Sequence, residues 1–187
     1  MWVSRDSAWI KPNALMMGCI SKDRVIPADR LLSACRWFEK IPLTKINRSI
    51  SNEDIEKITE VALSKANELG YEDIGNRISG SLKSINTESN NDRFKRLIGL
   101  IEVKFGRQIF DDDFLKYLNM AIKIRGNVAH GLHDFSTDDE FFKFSKSIYA
   151  MEALCFLLTV KDLPISREAL ERVRRHSMVV SYRLATN

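Results

Sequence analysis

An arginine and a histidine stand five residues apart near the end of one apolar stretch, as Arg125-Gly126-Asn127-Val128-Ala129-His130. An imidazole can exchange protons near neutral pH, and a guanidinium binds anionic oxygens in a planar, two-point fashion. Together they suit acid–base chemistry on an anionic substrate. Their placement makes the pair worth attention. On a helix starting at Phe114, the residues Phe114, Leu118, Ala121, Ile122, Val128 and Ala129 lie within about 60° of one line, and Arg125 falls near its middle. A cation there is costly unless it snorkels, pairs with a core carboxylate or reaches a polar cleft. His130 lies about 140° round from Arg125 on a regular helix, so the two do not converge cleanly. Loosening at Gly126 or Gly131, or a cleft shared by two chains, would bring them together. His130 also suits a plain role at a helix C-terminus, where its charge meets the dipole. A metal reading of His130-x2-His133-Asp134 competes, but Gly131 is expected to end the helix between the two histidines.

The elements that must position these residues are helical throughout. Helices are expected at Asp29–Lys40, stopped by Pro42, and at Ser51–Leu69, capped by Ser51 or Asn52 and closed by Gly70. The second carries Ile55, Ile58, Val61, Ala62, Ala66 and Leu69 on one stripe. Further helices are expected at Asp73–Ile85 and Asp92–Phe105, with a polar loop over Thr87–Asp92. Asp112 to about His130 follows, with acidic residues at its start. Asp138–Val160 is the longest, with Phe141, Phe144, Ile148, Met151, Cys155 and Leu158 facing inward. Ser166 caps a last helix running to about Tyr182. No hairpin signal or repeat interrupts this order. The fold class is therefore all-α, an irregular bundle of about six helices. Residues 1–26 show no clean period and read as an arm, a short strand or the remnant of an upstream segment. Residues 27–187 read as the helical domain.

The octapeptide Ile124-Arg125-Gly126-Asn127-Val128-Ala129-His130-Gly131, late in the chain and followed by a loop and a long apolar helix, resembles the Arg-x4-His signature of HEPN domains. It is most similar to the Apea-like HEPN group, often the C-terminal domain of longer bacterial anti-phage proteins. The resemblance spans about residues 28–163. Gly126 stands where the family usually has a polar residue, commonly Asn, and Asn127 follows one place later. Members silenced by a nucleotidyltransferase often carry Tyr two places after the histidine; Leu132 stands there, which disfavours that control.

The resemblance implies an endoribonuclease that needs no metal or other cofactor, acting on single-stranded RNA as a homodimer in phage defence. In that chemistry the ribose 2′-OH loses a proton as it attacks the adjacent phosphate, and charge grows on the phosphate oxygens. His130 would move the proton, Arg125 would hold the phosphate, and Asn127 would orient either one. The products would be a 2′,3′-cyclic phosphate and a 5′-OH. The competing reading is a non-catalytic helical dimerisation or interaction module of a larger effector, whose sensor domain or partner protein lies upstream.

The bulk numbers agree with such a protein. The 187 residues are 44% hydrophobic and 29% charged, with a net charge of +4. That excess permits an anionic partner such as RNA. It is concentrated in Ser166–Asn187, where Arg167, Arg172, Arg174, Arg175 and Arg183 face only Glu168 and Glu171. Within it, Arg172 and Arg175 are candidate RNA-backbone contacts, against the plainer reading of a solvated face. Cys19, Cys35 and Cys155 lack metal or disulfide spacing and read as reduced core residues, which suits a cytoplasmic location. No apolar run of about 18 residues and no signal-peptide pattern is evident, so no membrane partner is expected.

Overall fold

The computed structural model describes residues 7–21, 27–42, 50–85, 88–107, 109–130 and 137–185. Among them the chain is all-α, with no strand. A 3-10 turn, Ser7–Trp9, leads into α1 (Ile10–Ser21) and α2 (Pro27–Lys40). Next come α3 (Asn52–Glu68), a second 3-10 turn (Glu72–Ile74), α4 (Gly75–Ile85) and α5 (Asn90–Phe105). The site-bearing α6 (Phe114–Ala129) precedes α7 (Asp138–Val160), α8 (Arg167–Arg174) and α9 (Ser177–Leu184). The chain divides into two compact units, residues 43–92 and the remainder. The boundary expected at residues 26 and 27 is not where it divides.

The smaller unit is built on α3 and α4. Ser51 caps α3 by accepting from the Asp54 N–H at 3.0 Å, and Gly70 ends it with φ +80°, a left-handed conformation suited to glycine. Of the expected stripe, Ile55 and Ala66 are buried, but Ile58, Val61 and Leu69 are exposed. So few helical turns bury little more than one line of side chains.

The larger unit is organised around α7, which packs against α1, α2, α6 and α9. Every residue from Ala150 to Val160 is buried. A helix apolar on all sides belongs at the centre of its unit rather than on its surface. Phe141, expected on the inner face, is exposed because it lies in the first turn, ahead of that buried length. Residues 10–21 are no arm: Pro12, Met16 and Cys19 are buried along one side of α1, which packs on α2 and α7. Exposed Ile10, Met17 and Ile20 obscured that period, and Pro12 is tolerated because it lies in the first turn. The expected final helix is broken in two. Arg175 closes α8, and the His176 imidazole accepts from the Met178 N–H at 3.3 Å to start α9.

Among the described residues one charged side chain lies fully inside this core. Glu152 is fully buried on α7, and its two carboxylate oxygens accept from Nε and Nη2 of Arg30 on α2, both at 2.7 Å. Arg30 also lies over the Tyr149 ring, 5.2 Å from its centre. This two-point contact satisfies a carboxylate that water cannot reach. Removing Arg30 takes both of these bonds from the buried carboxylate. Arg30→Met should therefore cost about 3–5 kcal/mol of stability in urea unfolding, while Arg30→Met combined with Glu152→Leu should recover most of it. Equal losses in the single and double variants would show that the pair does not organise the core.

Candidate functional site

The last turn of α6 carries the sequence-predicted site. The helix runs unbroken through Gly126, so the local loosening that would let Arg125 and His130 converge does not occur there. Gly131 lies outside the described residues, as do His133 and Asp134. The buried face of α6 is Phe114, Tyr117, Leu118, Ala121 and Ile124. Ala129, expected on this face, is exposed, and Val128 is half-buried. Arg125 does point inward by angle, but burial fades after Ile124, at the rim of the unit. Arg125 is therefore not a core residue.

At that rim Nη1 of Arg125 donates to Oε1 of Glu39 in the last turn of α2. Their side chains are 39% and 41% exposed, which makes this a surface ion pair rather than a core one. A pair in that setting is worth about 0.2–1 kcal/mol. It occupies one of the five guanidinium donors, leaving the rest for an anion. Cys35, one turn before Glu39, is buried beside the pair, and burial pushes its thiol up to about 12; Arg125 opposes that shift and Glu39 adds to it.

His130 is the C-cap residue of α6, and its backbone N–H donates to the carbonyls of Asn127 and Val128. It is exposed, as is Asn127. The two are three residues apart and share an outward face, about 60° from each other. Arg125 lies about 140° from His130 round the same helix. One copy of the chain thus pairs Asn127 with His130 and holds Arg125 separately on Glu39.

The two arginines expected to meet RNA part company. Arg172 is paired with Glu168 one helical turn away, at 2.5 Å, on a solvated face of α8. Arg175 instead lines a cleft of about 500 Å³ together with Arg107, Arg174 and Arg183. Only the charge imbalance of the last 22 residues hinted at this grouping, and nothing in the sequence ties Arg107 to it. Gly106, Arg107 and Ile109 of the cleft wall precede the N-terminus of α6, whereas Arg125–His130 is its far end. Arg125 and His130 lie eleven and sixteen residues beyond Phe114 along the helix, about 16 Å and about 24 Å.

Among the described residues no group of histidine, cysteine and carboxylate side chains is arranged to hold a metal ion. No described helix is long and apolar enough to cross a membrane. No family model matches the chain, and no curated protein or solved structure matches it either.

The buried thiols give a direct check on this geometry. Cys19, Cys35 and Cys155 are all at most 1% exposed, and burial raises the thiols of Cys35 and Cys155. The thiolate is the reactive form. Native protein at pH 8 should resist iodoacetamide, and unfolded protein should take up label at all three. Rapid native labelling of Cys35 would place the Arg125–Glu39 rim wrongly.

Proposed function

We propose that the chain is a metal-independent endoribonuclease of HEPN type, acting on single-stranded RNA as a homodimer in anti-phage defence or abortive infection. The observation that carries this reading is that Arg125, Asn127 and His130 keep their polar groups at the surface of one helix end, outside the core. His130 is accessible for proton transfer, and Arg125 is steadied by Glu39 with donors to spare. The outward Asn127–His130 face and the inward Arg125 do not form one site in one copy. A two-fold dimer supplies the missing half: the Arg125 of one copy faces the His130 of the other. RNA is then cut by attack of its own 2′-OH on the phosphate.

One observation favours a second reading. The Arg125–Glu39 contact joins α6 to α2, as a surface clasp in a non-catalytic interaction module would. Arg125→Lys separates the two. Lysine keeps a charge for Glu39, so stability should change by less than about 1 kcal/mol on either reading. It loses the planar two-point contact with phosphate, so on the enzymatic reading wild type cleaves RNA and Arg125→Lys cleaves it more slowly, whereas on the other reading neither protein cleaves.

The test is RNA cleavage in EDTA. Wild type should leave 2′,3′-cyclic phosphate ends, His130→Ala should slow cleavage by about 10²–10⁴-fold, and its melting temperature should match wild type. Cleavage that persists unchanged in His130→Ala, or wild type that cuts no RNA, would overturn the reading.

A further inference from the structure

The arginine cleft calls for a ligand of its own. Four arginines line it, Arg107 before α6, Arg174 and Arg175 at the end of α8, and Arg183 on α9. The carboxylate on its wall, Glu171, is already paired with Nη1 of Arg174 at 2.9 Å. The cleft therefore carries a net charge of about +3 at neutral pH. Among the described residues, Arg107, Arg175 and Arg183 have no ion pair.

Like charges gathered this way repel one another, and a folded chain spreads them apart unless something holds them. Here Arg174 is held. Its Nη2 donates to the Phe105 carbonyl, and Gly106 has φ +95°. A Cβ on Gly106 would lie 2.7 Å from Nη2 of Arg174, a contact the flexible end of the arginine can relieve, so it is the left-handed backbone that calls for glycine there. Arg174 is thus held before any ligand arrives, which lowers the cost of ordering that one side chain on binding.

We infer that this cleft is a binding site for a polyphosphate anion, either the phosphate chain of a nucleotide or inorganic polyphosphate. A volume of about 500 Å³ is in the range of small-molecule sites. Clustered guanidinium groups match the oxygens of adjoining phosphoryl groups, which concentrate several charges in a small space. An RNA backbone fits less well, because each of its phosphates carries one charge and the next lies a nucleotide away. Among the described residues no aromatic ring lines the cleft, so none of them stacks on a base there. Recognition is of the phosphates and is indifferent to the base. The inference does not depend on RNA cleavage at the far end of α6.

Calorimetric titration of the whole chain at about 0.15 M salt tests it, with inorganic tripolyphosphate, ATP, GTP and a 5′-hydroxyl oligoribonucleotide whose 2′-hydroxyls are methylated against cleavage as separate ligands. The first three should bind with affinities within about threefold of one another, and the oligoribonucleotide at least about tenfold more weakly. Arg175→Ala with Arg183→Ala, both at exposed positions, should weaken tripolyphosphate at least about tenfold with melting unchanged. Should that pair impair folding, Arg107→Ala takes its place with the same expectation. Absence of tripolyphosphate binding at millimolar concentration would overturn the inference. So would binding that a folded variant leaves intact, or an oligoribonucleotide that binds as tightly as tripolyphosphate and is lost in the same variant.

Discussion

The Arg30–Glu152 pair is the constraint on which the larger unit rests. The inner length of α7 is buried on every side, so a carboxylate in its middle has no route to water. It can remain charged only if a cation comes to it in good geometry, and Arg30 does so with two parallel hydrogen bonds. That requirement fixes the register of α2 against α7. The neighbouring Cys155 thiol, which donates to the Ala34 carbonyl at 3.8 Å, lies along the same contact. An apolar helix alone slides and rotates against its neighbours at little cost; a two-point ionic contact between a pair of helices does not.

The placement of α6 follows from this frame. Its buried face packs against α7, and its two ends are tied differently. At the N-terminal end, Phe110 stacks on Phe114, and Tyr182 of α9 meets Phe114 edge-on with ring centres 4.8 Å apart. The Tyr182 hydroxyl donates to Asp111, and burial with that bond pushes its ionisation upward. At the C-terminal end the helix runs past the core, and Arg125 settles on Glu39 of α2. Packing thus secures one end, and a solvent-exposed ion pair holds the other. That leaves the last turn of α6, where the polar groups gather, as the part of the helix least committed to the core. The arginine cleft belongs to the secured end. The two polar regions are separate features of one helix.

Much of this was legible in the sequence, and the failures have physical causes. Local signals worked well where the chain is locally determined: Ser51 and Gly70 bound α3, Ser166 caps α8, and the apolar length of α7 marks the centre. The all-α class followed from these. The period of α1 was hidden because a three-residue buried line is outnumbered by exposed apolar neighbours. The break at Arg175 was hidden because the residues there, Arg174 to Ser177, contain neither glycine nor proline. Arg125 was placed on the correct side of its helix, but no angular argument reveals where the partner helices end. Arg30 and Glu152 are 122 residues apart, and the cleft draws on Arg107 and Arg183, 76 positions apart; tertiary pairings at such range leave no trace in local pattern.

The central claim is that one site is shared between two copies, each giving a different residue. Mixing Arg125→Ala with His130→Ala tests it directly. Each variant alone lacks half of both sites and should be inactive on RNA. In a mixture allowed to exchange subunits, half of the dimers are hybrids, and each hybrid regains one complete site of two. Cleavage should return to about a quarter of the wild-type rate. A mixture that exchanges subunits yet stays as inactive as either variant would contradict the account.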